Sequence, residues 1–188
     1  MTRITGARTA YQGYVAVQVV TLADADGALH QREVVSFGQS ACVLPYDPDR
    51  KVGLIVRLPR APLMLDGIET PLIEAPAGMI EAGETAEAAV IREAMEEVGV
   101  ALSSVEKVAE TWPSPGVIAE RSHLFLAAYG AQDRHGPGGG LAHEHERIVA
   151  EEMALAELWR LAAGGALQDM KTLTLVLALH ARRPELFG

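Results

Sequence analysis

Hydrophobic positions fall into short β-type runs over the first part of the chain and helical periods later. Residues 13–23 and 31–37 read as strands flanking Asp24-Ala25-Asp26-Gly27, a turn signal, so together they predict a hairpin. Residues 41–44 and 52–57 predict two more strands, separated by the turn-like Tyr46-Asp47-Pro48-Asp49. Residues 59–70 carry prolines and Asp66-Gly67 and predict a loop. A helix is expected over 85–98 and an apolar strand over 122–129. Gly136-Pro137-Gly138-Gly139-Gly140 predicts a flexible break. A short strand over 147–151 and helices over 154–163 and 171–182 follow, the last stopped by Pro184. No internal repeat interrupts this order. Strands come first and helices intervene, which places the fold in the α/β (α+β) class with a mixed sheet.

The 188 residues suit one domain, or a domain with a small appendage, and 49% apolar residues supply a core. The net charge of −9 argues against wrapping a nucleic acid backbone, so no nucleic acid partner is expected. It leaves room for a small anionic substrate, because a bound metal reverses the local sign. Cys42 is the one cysteine, so no intrachain disulfide can form, which fits a reducing compartment. The first thirteen residues contain no apolar h-region. The longest candidate membrane run, 173–179, falls far short of the roughly 20 residues that span a bilayer. The expectation is a cytoplasmic protein with no membrane partner.

Chemistry concentrates on the helix expected over 85–98. At 3.6 residues per turn, Glu93, Glu96 and Glu97 share one face at i, i+3 and i+4. Ala88, Ile91, Ala94, Met95 and Val98 take the opposite face, so the apolar side packs inward and the acidic side looks out. Thr85 can cap the start and Gly99 can end the helix in the left-handed conformation. A Glu-rich helix most often presents a solvated face. Here, however, like charges at i,i+3 and i,i+4 cost roughly 0.2–0.5 kcal/mol each, and Arg92 is the helix's single base. A divalent cation would turn that repulsion into ligation, and hard oxygen ligands select Mg²⁺, Mn²⁺ or Ca²⁺ over zinc. Periodicity alone leaves the two readings open.

The stretch GMIEAGETAEAAVIREAMEEVGV over 78–100 resembles the Nudix box: Gly78, Glu84, Arg92-Glu93, Ala94, Glu96-Glu97, Gly99 and Val100. Ala94 stands where a larger aliphatic is usual. Glu74-Ala75-Pro76-Ala77-Gly78 and Pro113-Ser114-Pro115-Gly116 resemble segments of ADP-ribose pyrophosphatases. Residues 138–148 and Gln168-Asp169-Met170-Lys171-Thr172 resemble the C-terminal part of GDP-mannose pyrophosphatases. Membership of the Nudix hydrolase family implies an α/β/α sandwich over 39–188, preceded by a β-rich segment over 1–38. Its relatives are homodimers that exchange N-terminal strands.

The resemblance implies Mg²⁺-dependent (or Mn²⁺-dependent) cleavage of the pyrophosphate bond of a nucleoside diphosphate sugar. ADP-ribose is the first candidate substrate and GDP-mannose the alternative; a catalytically inactive ADP-ribose sensor is the rival of another class. It assigns metal ligation to Glu93, Glu96, Glu97 and the carbonyl of Ala77, and an orienting pair to Arg92 and Glu84. Arg57 and Arg60 stand where relatives contact substrate phosphate, although Leu58-Pro59 between them departs from the usual polar-aromatic pair. Ser114, Pro115 and Gly116 would also line the substrate. Trp112 is a candidate for base stacking or for the core. In His143-Glu144-His145-Glu146 the missing cysteines and the absence of other clustered histidines argue against zinc. Relatives carry a catalytic glutamate here, which implies Glu146 as general base, with Glu144 as the alternate and Gly138 to Gly140 as a hinge.

Overall fold

The computed structural model describes residues 1–141 and 148–188. The chain divides into two compact units, one formed by Met1–Gln39 with Thr111–Ser122, the other by Ser40–Glu110 with His123–Gly188.

In the first unit, β1 (Arg3–Gln12), β2 (Ala16–Ala23) and β3 (Leu29–Ser36) form an antiparallel sheet in that order. The β2–β3 pair is the hairpin expected from the pattern. Its turn closes with the Asp24 amide donating to the Ala28 carbonyl at 2.9 Å. β1 escapes pattern reading because all ten of its residues are exposed and none is selected for a core. The segment around 117–119 is laced to β3: Val35 donates to the Val117 carbonyl at 2.9 Å and Ala119 donates to the Val35 carbonyl at 2.8 Å.

The second unit contains β4 (Gln39–Asp47), β5 (Val52–Leu58), α1 (Ala61–Leu65), β6 (Leu72–Glu74), β7 (Ala77–Met79), α2 (Ala86–Val98), β8 (Glu106–Thr111), β9 (Arg121–Ala128), β10 (Val149–Ala154), α3 (Leu155–Ala163) and α4 (Met170–Arg182). The sheet order is β10-β5-β4-β9-β8, with β6 on β5 and β7 on β4. Side chains alternate across it with period two. Ala41 and Val43 of β4, Leu54 and Val56 of β5, and Phe125 and Ala127 of β9 pack with Val90, Ala94 and Val98 of α2. Their neighbours Cys42, Leu44, Ile55, Leu124 and Leu126 pack with Leu155 and Leu158 of α3 and Leu175 and Leu179 of α4. Burial on both faces explains why these strands read as continuous apolar runs. The result is the expected α+β sandwich with a mixed sheet between helical layers.

Three local expectations are corrected. Tyr46 and Asp47 belong to β4, paired with Gly53 and Val52, so the turn lies further on. There Asp47 accepts the amides of Asp49 (3.0 Å) and Arg50 (2.9 Å), and Lys51 sits at φ 53°. The loop over 59–70 contains α1, a short helix with Pro62 in its first turn and no buried residue. The glycine run is tied to α2 by backbone hydrogen bonds rather than lying free. Among the described residues, no helix is long and apolar enough to cross a membrane.

Candidate active site

Local signals set α2. The Thr85 hydroxyl accepts the Ala88 amide at 3.1 Å, and Gly99 ends the helix at φ 67°, where its amide bonds to the Met95 carbonyl. Its inward face is rotated from the expected one. Ala89, Val90, Ala94, Glu97 and Val98 are buried, whereas Ala88 and Met95 are exposed. Glu97 therefore does not look out with Glu93 and Glu96. A carboxylate can occupy the buried arc because the Ala77 amide donates to it at 2.9 Å. β7 delivers that amide through its pairing with β4, where Ala77 lies opposite Cys42 and Gly78 opposite Ala41. At the next residue the Glu93 carboxylate lies against Gly78, where a Cβ would displace it.

Arg92 organises the remaining acids. Its Nε and Nη2 each donate to one oxygen of Glu84 at 3.1 Å, a two-point fork. Nη1 donates to Glu93 Oε1 at 2.6 Å and Glu96 Oε2 at 3.1 Å, and Nη2 also reaches the Met79 carbonyl at 3.1 Å. The Arg92 bonds hold the Glu84 carboxyl below its ordinary range, with the Glu81 amide assisting against desolvation. The Glu84 bonds in turn raise the Arg92 guanidinium further above its already high value. One positive charge thus meets three carboxylates.

The arrangement draws Glu84, Glu93 and Glu96 together and sets Glu97 against β7. Among the described residues, no three acids, histidines or cysteines converge closely enough to hold a metal ion by themselves. The donor chemistry still fits a hard dication: Glu93 and Glu96 offer carboxylate oxygens and already share one cationic nitrogen. Glu93 and Glu96 are the residues here that could hold such an ion.

Arg57 pairs with Glu151 across the β5–β10 ladder at 2.8 Å. Arg60 forks onto buried Glu74, with Nε and Nη2 at 2.9 and 3.0 Å. Ser114, Pro115 and Gly116 lie in the first unit, where the Ser114 carbonyl accepts the amides of Val117 and Ile118 at 3.2 and 2.9 Å. Trp112 is 52% exposed, which corrects the core alternative, and Arg121 stands 6.0 Å from its ring centroid. Glu144 and Glu146 fall outside the described residues.

A polar network beneath the box was not foreseen as part of the site. Asp169 caps α4, accepting the Thr172 amide at 2.8 Å and its hydroxyl at 2.6 Å. The same Thr172 Oγ1 accepts the Ala75 amide at 2.7 Å. Lys171 lies 2.7 Å from Asp169 and 3.8 Å from Glu74. Burial would raise Asp169 and lower Lys171. Their attraction, joined by the Thr172 hydrogen bonds to Asp169 and by Cys42 and Glu74 around Lys171, outweighs that penalty and moves Asp169 down and Lys171 up. An Asp three residues before Thr at the head of an apolar helix was the available signal.

The NUDIX domain profile matches residues 36–174, and the chain belongs to the Nudix hydrolase family. It is 35% identical over 164 residues to the GDP-mannose pyrophosphatase of Cronobacter sakazakii, covering 87% of this chain and 84% of that protein. It is 32% identical over 158 residues to the GDP-mannose pyrophosphatase of Escherichia coli strain K12, covering 84% and 81%. A crystal structure of an ADP compounds hydrolase superposes with a TM-score of 0.77 at 16% identity, covering 98% of this chain and 95% of that one, and so shares the fold. Nudix hydrolases generally use divalent metal ions.

Proposed function

We propose that this protein hydrolyses the pyrophosphate bond of a nucleoside diphosphate sugar with the help of Mg²⁺ or Mn²⁺. The observation that carries the reading is the convergence of Glu93 and Glu96 on one nitrogen of Arg92, beside Glu97. A divalent cation, when bound, supplies charge neutralisation of the diphosphate. The chain's own residues set the geometry. Arg92 and Glu84 orient the acids, the Ala77 amide fixes Glu97, and the Ala77 carbonyl is a further candidate ligand. Arg57 and Arg60 are candidates for the substrate phosphates, to be released from Glu151 and Glu74 on binding. Glu146 is the proposed base that takes the proton from water, with Glu144 as alternate.

The names of the related proteins favour GDP-mannose, which would yield GMP and mannose 1-phosphate. A second reading, ADP-ribose to AMP and ribose 5-phosphate, is favoured by Glu74-Ala75-Pro76-Ala77-Gly78 and by the Pro115 segment. A panel of both sugars with Mg²⁺ and with Mn²⁺, read by mass spectrometry, tests the function. Two monophosphates support it; a nucleoside diphosphate with free sugar sinks it. We also infer a homodimer through β1, whose exposed length offers an unpaired strand edge. A monomeric mass by light scattering would refute the dimer.

A further inference from the structure

The glycine run after β9 binds the last turn of the box helix. The four final carbonyls of a helix have no partner inside it, and that turn tends to fray. In α2 the first of these, on Met95, accepts the Gly99 amide at 3.1 Å, and Val100 donates to Ala94, one residue earlier, also at 3.1 Å. The next two belong to Glu96 and Glu97. The Gly140 amide donates to the Glu96 carbonyl at 3.0 Å, and the Gly139 amide donates to the Glu97 carbonyl at 2.9 Å. His135 adds a third bond, to the Gly99 carbonyl at 2.8 Å. The two chains approach so closely that a Cβ on Gly138 would collide with the Glu97 carbonyl and the Val98 Cα. Gly138, Gly139 and Gly140 all hold positive φ, at 73°, 114° and 74°, which suits glycine.

Glu97 is consequently fixed at both ends, its carboxylate by the Ala77 amide and its carbonyl by Gly139. Glu96 is likewise held at its carboxylate by Arg92 and at its carbonyl by Gly140. We propose that Gly138, Gly139 and Gly140 are positioning residues for cation binding: their strap fixes the helix turn from which Glu96 and Glu97 project. The strap acts through the backbone and touches neither carboxylate. This inference rests on the reading of the Glu93, Glu96 and Glu97 face as a divalent-cation site.

The test measures Mn²⁺ alone, by calorimetry and by its paramagnetic resonance spectrum, on the intact protein, together with amide hydrogen exchange. Gly138→Ala should weaken Mn²⁺ binding by about tenfold or more, the scale seen when groups supporting metal ligands are lost. It should also speed exchange at Gly139 and Gly140. Gly136→Ala is the matched control, because nothing lies within 4 Å of its added Cβ, and it should keep Mn²⁺ affinity within about twofold. Should Gly138→Ala fail to fold, Gly139→Ala replaces it. That change keeps the amide and meets only the Ile148 carbonyl, at 3.9 Å, while straining φ, so the same loss is expected in milder form.

Faster exchange at Gly139 and Gly140 with unchanged Mn²⁺ affinity would reduce the strap to a helix cap and overturn the proposal. Equal losses in Gly138→Ala and Gly136→Ala would overturn it as well. A wild-type protein with strap-dependent Mn²⁺ binding that cleaves no nucleoside diphosphate sugar would defeat the proposed substrate while supporting the strap. A wild-type protein that binds no Mn²⁺ would remove the basis of both.

Discussion

Two arginines in the second unit each gather several acids, yet they end in different chemical states. Arg50 donates to Asp47 at 2.7 Å and to Glu152 at 2.8 Å, and Tyr129 donates to Glu152 at 3.0 Å. Arg134 stands 3.7 Å from the same Glu152. Two carboxylates meet two guanidiniums, and Asp47 also closes the β4–β5 turn. Arg50 lowers the Glu152 carboxyl, and burial beside Glu152 pushes the Tyr129 phenol up. Around Arg92, three carboxylates share one guanidinium, and a fourth, Glu97, is held nearby by β7. Paired charge near Arg50 fastens a turn, whereas the Arg92 hub gathers three carboxylates on one guanidinium, the arrangement on which the proposed cation site rests. Counting charges around a hub, rather than counting its ion pairs, separates the two roles.

The sharpest break of this comparison is Glu97→Gln. The amide keeps an oxygen for the Ala77 amide, so the melting temperature should stay close to wild type, while kcat with Mg²⁺ falls at least about a hundredfold. Near-normal turnover would end the assignment of Glu97 to the metal. Next in size is the pair Arg92→Lys and Arg50→Lys. A lysine cannot reproduce the fork on Glu84 or serve Glu93 and Glu96 together. The first should cost about tenfold in kcat or more, and the second should lower thermal stability while kcat stays within about twofold. Steady-state kinetics beside melting curves would expose any exchange of these roles.

A smaller effect is expected from Thr172→Ala, which strips the Ala75 amide of its buried acceptor at a cost of roughly 1–3 kcal/mol. Thr172→Ser should restore most of it, as read by denaturant unfolding. The smallest effect concerns acid. Glu84 and Asp169 both have carboxyls depressed by the fold, so their stabilisation is complete above the unfolded value near pH 4 and is lost as pH falls through the lower folded value. Unfolding free energy should therefore decline below about pH 4. Asp169→Asn should make that decline shallower, and an unchanged slope would show that Asp169 contributes nothing to it.

Much of the fold is legible in the amino-acid sequence. β4, β5 and β9 announce themselves as apolar runs because both sheet faces are covered, and α2 carries both of its end signals in Thr85 and Gly99. The short β6 and β7 could not be read, because Ala75-Pro76 separates three-residue pieces whose pairing is decided by β4 and β5 rather than by their own composition. α1 was hidden because its leucines and methionine cover nothing. The orientation of α2 is hidden for a different reason: a wheel assigns glutamates to solvent, whereas Glu97 turns inward to accept the amide of Ala77, distant in sequence. The fork of Arg92 on Glu84 is legible from box spacing, but the Arg60–Glu74 and Lys171–Glu74 pairs are not, since each joins segments whose proximity is a product of the fold.

The bond from Ala75 to Thr172 also bears on the order in which the protein is made. A ribosome that has released residue 160 has already delivered the whole of α2 with its four acids. It has not delivered the hydroxyl that receives the Ala75 amide, nor Leu175 and Leu179, which cover the opposite face of β4. The residues of the acidic helix are therefore synthesised before the partner that holds Ala75. A chain that stopped at residue 160 would carry every residue of the 78–100 stretch without the Thr172 hydroxyl and the α4 leucines that the folded protein sets against β4 and Ala75.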